Sequence, residues 1–206
     1  MTPKQISKIK HVFDEIDLDG SGSIECIEFL EYIDIPKSPF SDNIFLLVGQ
    51  NPNGQIEFSQ FLLILLEYCM LNRDGILRFC FDKYDADGSG NMDEIEFMEL
   101  CRVVNNAAPL FPGNFARALE EFDANGDGMI DFDEFREIDK RHPLVLFPAF
   151  KLQDSMQKHF LGEAGWNQVR VQLHKNKLIE EYKLTHGGSP PDQKTLKLLM
   201  QQTGKH

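Results

Sequence analysis

Oxygen-bearing residues recur at fixed spacing in the stretch from Asp85 to Glu96. Side-chain or carbonyl oxygens fall at positions 1, 3, 5, 7, 9 and 12, which are held by Asp85, Asp87, Ser89, Asn91, Asp93 and Glu96. Asn91 would offer its backbone carbonyl, Glu96 both carboxylate oxygens, and Asp93 would act directly or through a water. An oxygen-only set that wraps one ion from a single segment suits a large, hard cation such as Ca²⁺.

Two further stretches repeat this pattern. In residues 17–28 the candidate ligands are Asp17, Asp19, Ser21, the Ser23 carbonyl and Glu28. In residues 123–134 they are Asp123, Asn125, Asp127, the Met129 carbonyl and Glu134. Position 6 of each loop is Gly, which permits the sharp bend that the wrapping requires. The sequence therefore predicts three calcium sites, at which Mg²⁺ would compete because both ions favour oxygen ligands.

A fourth stretch, residues 49–60, keeps the spacing and has lost the ligands. Alignment on Gly54 and Ile56 places Gly49 at position 1 and Gln60 at position 12. Glu57 is then the one charged residue at a ligand position, so a divalent ion would regain too little of its hydration energy. We expect this second loop to be structural, with Ile56 pairing with Ile24 in a short β-ladder.

The four loops form an internal repeat, with apolar residues at helical spacing on both sides of each loop. They start at residues 17, 49, 85 and 123, so the unit recurs after 32, 36 and 38 residues. With this repeat, residues 1–141 resemble the calmodulin, troponin C and calcineurin B superfamily of EF-hand proteins. The resemblance implies an all-α fold of two lobes, each a pair of helix-loop-helix units. The degenerate second loop and the short connection before it depart from the family pattern.

We predict an N-terminal lobe over residues 1–71, a C-terminal lobe over residues 72–141 and a helical tail over residues 142–206. Residues 72–75, Asn-Arg-Asp-Gly, break the helical pattern and are expected to form the hinge between the lobes. The helix predicted over residues 58–71 is apolar nearly all round, which favours burial on more than one side. It is either a core helix or a docking surface for the tail or for a partner.

The tail differs from the body in charge. Residues 1–141 hold 12 Lys or Arg and 28 Asp or Glu, whereas residues 142–206 hold 9 and 5. The resulting net charges, −16 and +4, make the tail complementary to the body. Gly162 and Gly165 are expected to break its helices, and residues 187–188 to end the longest one.

Three outcomes for the tail remain open at this stage. Trp166, Leu173 and Ile179 have the 1-8-14 spacing of helices that insert into EF-hand grooves, which favours an intramolecular target. The tail would otherwise pack permanently on the body, or remain a free helix for another protein.

Composition limits the class and the compartment. The six His residues are scattered and the sequence contains none of the common catalytic motifs, so we expect a protein that is not an enzyme. The acidic net charge of −12 disfavours nucleic acid and anionic membrane as partners. Four Cys without metal spacing indicate free thiols of a reducing compartment. The expected location is cytoplasmic, with cytoskeletal association as one option, and no transmembrane segment is expected.

These features favour a calcium sensor or regulatory subunit that engages a protein target through exposed apolar surface. An amphipathic helix is the expected target, with the tail docking on its own body or on a partner. The alternative is a structural component of a larger cytoskeletal or ciliary assembly, in which calcium is a staple. A pure calcium buffer would have no need of the tail.

Overall fold

The computed structural model describes residues 1–42, 54–104 and 115–203. The first part holds α1 (Pro3–Ile16), β1 (Ser23–Glu25), α2 (Cys26–Tyr32), α3 (Pro39–Asp42), β2 (Gln55–Glu57) and α4 (Phe58–Met70). The second holds α5 (Arg73–Tyr84), β3 (Asn91–Met92), α6 (Glu94–Val104), α7 (Phe115–Phe122), β4 (Ile130–Asp131) and α8 (Phe132–Arg141). The tail holds α9 (Phe147–Phe160), α10 (Gly162–Thr185) and α11 (Gln193–Thr203). The predicted all-α class is confirmed.

Loops pair within each half of the body through a short antiparallel ladder. Ile24 of β1 lies opposite Ile56 of β2, and Met92 of β3 lies opposite Ile130 of β4. All four of these side chains are fully buried, so each ladder also joins its loops to the core. The degenerate second loop therefore serves its predicted structural role. The sequence also favours a helix that starts at Ser41 or Asp42, with Ile44, Phe45, Leu47 and Val48 on its apolar side. Those four residues and the start of the second loop lie outside the described residues.

The predicted break in the helical pattern falls at Leu71 and Asn72, between α4 and α5. Asn72 caps α5, because its side-chain oxygen accepts the Gly75 N–H at 2.7 Å. Residues 73–75 of the predicted break thus form the first turn of α5, and a hinge at this junction stays a prediction. Arg73 then donates to Asp139 of α8, at 3.0 Å from Nε and 2.6 Å from Nη2. The lobe boundaries themselves stay a prediction.

Helix α4 is a core helix covered by the tail. Its residues Phe61, Ile64, Leu65, Tyr68 and Cys69 are at most 1% exposed. Helix α9 packs on α4 and also contacts α1 and α5. The all-round apolar sequence of α4 follows from this position, since one face meets the N-terminal lobe and another meets the tail.

The helices of the tail end at the predicted glycines, except at Gly165. Helix α9 ends before Gly162, whose φ is 70°, and α10 ends before the left-handed pair Gly187 and Gly188. The prediction that Gly165 breaks a helix is wrong, since this residue lies inside α10. Its role is close approach: a Cβ there would come within 2.7 Å of the Leu161 Cβ. The Gly165 carbonyl accepts the Gln5 side-chain amide at 3.3 Å, which ties α10 to α1.

All four cysteines are reduced thiols, and Cys69 and Cys80 are buried. Burial raises the pKa of Cys101 to about 12 and raises the pKa values of Cys69 and Cys80 further above their ordinary range. These thiols therefore stay protonated near neutral pH. In the part of the chain that the structure describes, no helix has the length and apolarity needed to cross a bilayer.

Candidate calcium sites

The third loop gathers its carboxylates most closely. One oxygen from each of Asp85, Asp87 and Glu96 lies within 4.8 Å of the other two, and among the described residues this is the acidic group that meets this distance. The Ala86 N–H donates to Glu96 Oε1 at 2.7 Å, which turns the position-12 carboxylate back into the loop. Three converging carboxylate oxygens are the donors that Ca²⁺ prefers, so these residues fit the ion.

Backbone amides hold the first half of the third loop. Asp85 accepts from the Ser89 N–H at 3.0 Å and, through its other oxygen, from the Gly90 N–H at 2.9 Å. Gly90 has a φ of 83°, a left-handed conformation that the bend at position 6 requires. The Ser89 hydroxyl donates to the Asn91 carbonyl at 2.9 Å, so the predicted ligands at positions 5 and 7 lie side by side.

Hydrogen bonding also keeps the position-3 carboxylates ionised. The side chain and backbone N–H of Ser89 hold the pKa of Asp87 below its usual value. In the first loop the backbone N–H and side chain of Ser21 lower the pKa of Asp19 in the same way. An ionised carboxylate is the form that binds a cation, so both positions suit their predicted role.

The fourth loop is built by the same rules with an amide at position 3. Asp123 accepts from the Gly126 N–H at 2.7 Å and from the Gly128 N–H at 3.0 Å. Asn125 and Asp127 meet through an amide-to-carboxylate bond of 3.0 Å, and Asp127 also accepts the Met129 N–H at 2.9 Å. The Ala124 N–H donates to Glu134 Oε1 at 2.8 Å, which matches the inward position of Glu96.

The first loop matches the third in its first half and differs in its second. Asp17 accepts from the Ser21 and Gly22 N–H groups, both at 2.9 Å, and the Ser21 hydroxyl donates to the Ser23 carbonyl at 2.9 Å. The Leu18 N–H, however, donates to the Ile16 carbonyl at 2.9 Å rather than to the position-12 carboxylate. Glu28 Oε2 accepts the Glu25 N–H at 2.9 Å. Asp17, Asp19 and Glu28 therefore do not converge as their counterparts in the third loop do.

Position 12 of the second loop is uncharged, as predicted. The Glu57 N–H donates to Gln60 Oε1 at 3.0 Å, so Gln60 takes the place that a glutamate holds in the other loops. Residues 49–53 of this loop lie outside the described residues.

Position 9 has a role that ligand spacing alone does not indicate. Asp93 and Asp131 accept the N–H groups of Glu96 and Glu134, each at 2.9 Å, and those glutamates accept the position-9 N–H groups in return. These reciprocal bonds form capping boxes at the helix starts that follow the loops, and they orient the position-12 carboxylates. The sequence does contain a sign of these capping boxes. Each of the three loops with predicted calcium ligands has an acidic residue three positions before its final glutamate.

The three predicted anchor residues of the tail, Trp166, Leu173 and Ile179, do not lie on one buried face of α10. Trp166 is fully buried in this chain and donates its indole N–H to the Gln157 carbonyl at 3.1 Å. Leu173 is 42% exposed, and Ile179 is only partly buried. Ile179 lies 13 residues after Trp166, which turns it to another side of a straight helix. The segment that enters the body is α9 and the first turns of α10, so the anchor prediction from Trp166 to Ile179 is wrong.

Comparison with known proteins agrees with this geometry. A family described as "EF hand" matches residues 9–31, and one described as "EF-hand domain pair" matches residues 77–138. Calcineurin B of Schizosaccharomyces pombe is 27% identical over 139 residues, which cover 66% of this chain and 80% of that protein. A troponin C isoallergen of Blattella germanica is 29% identical over 147 residues, which cover 67% and 94%.

The sequence is also similar to one part of a larger protein, a protein kinase. Calcium-dependent protein kinase 5 of Plasmodium falciparum is 27% identical over 138 residues, but this chain spans only 24% of that kinase. The fold and the loops thus define an EF-hand protein with paired helix-loop-helix units. These matches support an EF-hand calcium-binding protein of the superfamily that includes calcineurin B and troponin C.

Proposed function

We propose that this protein is a calcium sensor or regulatory subunit that engages a protein target through its C-terminal lobe. The convergence of Asp85, Asp87 and Glu96 within 4.8 Å is the observation that carries the proposal. The same lobe contains the fourth loop, whose Glu134 is turned inward in the same way. In sensors of this type, ligation of position 12 moves the helix that follows it and exposes apolar surface. Three ions, at the first, third and fourth loops, are the proposed full load.

The C-terminal lobe contains buried aromatic pairs that an opening of its helices would expose. Phe81 packs on Phe135 with ring centroids 5.5 Å apart, and Phe97 packs on Phe115 at 5.6 Å. Each pair joins two different helices of the lobe, so separation of these helices would expose aromatic rings. The groove of the N-terminal lobe, in contrast, is filled by α9.

The charge of the body indicates the kind of target. Residues 1–141 carry a net charge of −16, which attracts a basic partner and speeds its encounter. We therefore propose a basic amphipathic helix as the target, bound with its apolar side in the opened lobe. A binding role of this kind needs no catalytic group, so we propose that the chain is not itself an enzyme. The proposed location is the cytoplasm.

Apolar-dye binding to the full chain tests the sensor role. Micromolar Ca²⁺ should raise dye fluorescence in the wild type, since sensor sites work at about 10⁻⁷ to 10⁻⁵ M. The doubly substituted chain E96Q/E134Q should show little increase, because each change removes an anionic ligand. A wild type that binds calcium without any rise in dye fluorescence or change in hydrogen exchange would favour the alternative, a structural component in which calcium is a staple.

A further inference from the structure

Helix α9 fills the N-terminal lobe with aromatic and aliphatic side chains. The Phe160 ring lies 5.3 Å from Phe61 and 6.3 Å from Phe29, measured between ring centroids. Leu152, Met156 and Phe160 are at most 1% exposed. The tail thus occupies the interior of the N-terminal lobe as a target helix occupies an EF-hand groove.

Polar side chains of the tail fasten it to the end of α4. The last carbonyls of a helix have no intrahelical donor. Gln153 donates to the Tyr68 carbonyl at 2.7 Å and to the Leu71 carbonyl at 2.9 Å, and Gln157 donates to the Cys69 carbonyl at 2.8 Å. In return, the Tyr68 hydroxyl donates to the Ala149 carbonyl at 3.0 Å. Docking is therefore specific in position as well as apolar.

The same helix holds α2, which follows the first loop. Phe29 comes directly after Glu28 in the chain and packs on Phe160. At the other end of α2, the Ser155 hydroxyl donates to the Ile33 carbonyl, and the His159 ring lies 5.9 Å from the Tyr32 ring. Contacts with the tail therefore reach both ends of α2, which also packs on α1 and β1.

Three loops have a full set of predicted ligands, and among these the first is the one whose position-12 glutamate, Glu28, does not accept the N–H of the residue at position 2. Its first half has the hydrogen bonds of the third loop to within 0.1 Å at Asp17 and Asp85, yet the Leu18 N–H bonds to Ile16 where the Ala86 N–H bonds to Glu96. The third and fourth loops have the inward glutamate, and α9 fills the groove of the other lobe. The departure at Glu28 thus coincides with the helix that the tail clamps.

We propose that docking of α9 on α2 holds Glu28 back from the first loop, so that tail docking and calcium binding at residues 17–28 oppose each other. Full ligation at this loop then requires α2 to move, which weakens its contacts with Phe160 and Ser155. Because coupling between two binding events is reciprocal, calcium at the first loop loosens the tail to the same extent. The proposal rests on the proposed calcium function and assigns the first loop the separate task of controlling the tail.

The test uses the full chain with E96Q and E134Q, which leaves the first loop as the proposed calcium site. In this background, F160A and S155A should each bind calcium more tightly by calorimetry, with F160A tighter by about fivefold or more, the lower range of typical coupling. S155A removes the hydroxyl that donates to the Ile33 carbonyl and provides the comparison should F160A unfold. The matched control is K158A, an exposed position of the same helix, which should bind as the background does.

Hydrogen exchange gives a second reading in the same chains. Calcium should speed amide exchange in α9 and shift Trp166, the single tryptophan, toward the emission of an exposed indole. Equal or weaker binding in F160A and S155A, or slower exchange in α9 with calcium, would overturn the proposal. Absence of binding in the background and in both variants would overturn it as well and remove the first loop from the proposed sites. A sensor role for the third and fourth loops would survive either result, because it depends on the C-terminal lobe.

Discussion

The Phe160 ring of the tail meets the Phe61 ring of the N-terminal lobe edge to face, with centroids 5.3 Å apart. Both side chains are fully buried. An aromatic pair of this geometry stabilises beyond the area it buries. The contact makes the tail part of the core, and it explains why the lobe has so many apolar residues on α4.

Replacement of Phe160 should destabilise the whole chain. We expect F160A to lower the free energy of unfolding by about 3–5 kcal/mol, because it opens a cavity among packed rings. Denaturant unfolding followed by Trp166 fluorescence measures this loss. F147A, at the exposed start of the same helix, is the control and should stay within about 0.5 kcal/mol of the wild type. Similar losses for both variants would contradict the assignment of Phe160 to the core.

The pair of Arg73 and Asp139 joins the start of α5 to the end of α8. Asp139 is 1% exposed at its side chain, whereas Arg73 is 57% exposed. We expect R73A to cost about 1–3 kcal/mol, since it leaves a buried carboxylate without its cation while water can still approach from the exposed side. Chemical unfolding of the full chain measures the change.

Arg102 provides the control for that prediction. It is 56% exposed and pairs with Glu99, which is itself 47% exposed. R102A should change stability little, because the Glu99 carboxylate that remains stays solvated. Equal effects of R73A and R102A would show that burial of the Asp139 carboxylate does not set the energy of its pair.

Asp87 should titrate below its usual range in the calcium-free protein. The Ser89 hydrogen bonds stabilise its charged form, so its pKa is depressed in the fold. The contribution to stability is therefore present above the ordinary pKa of Asp, about 3.9, and is lost as the pH falls through the depressed value. S89A removes the hydroxyl and should move the Asp87 pKa upward, which carboxyl-detected NMR titration measures. An unchanged pKa would show that the hydroxyl plays no part.

The body could be predicted from the sequence because its determinants are local. Ligand positions lie within one segment, and the Ile24 and Met92 ladders follow from position 8 of each loop. The break predicted over residues 72–75 is shorter in the structure for a local reason too, since Asn72 caps α5 through the Gly75 N–H. Asn and Gly can therefore mark either a break between two helices or the start of the next helix.

The tail could not be placed from its sequence because its contacts are distant in the chain. Nothing in the sequence around Gln153 and Gln157 indicates that they donate to carbonyls of α4, which lie more than 80 residues earlier in the chain. Trp166 suggests a groove-binding register that the fold does not use, because its indole is buried within the chain and donates to the Gln157 carbonyl of α9. The withheld position of Glu28 depends on the same docking, so ligand spacing alone could not predict it.

Calorimetric titration of the full chain with Ca²⁺ is the decisive experiment for the loops, with E96Q and its neighbour E94Q compared against the wild type. Glu94 is exposed and occupies no ligand position, so E94Q is a control of equal charge change. We expect three ions for the wild type and for E94Q. E96Q should bind two, or bind the third far more weakly, since it lacks the carboxylate that converges with Asp85 and Asp87. A wild type that binds no calcium, or an E96Q titration that matches E94Q, would contradict the proposed calcium chemistry of these loops.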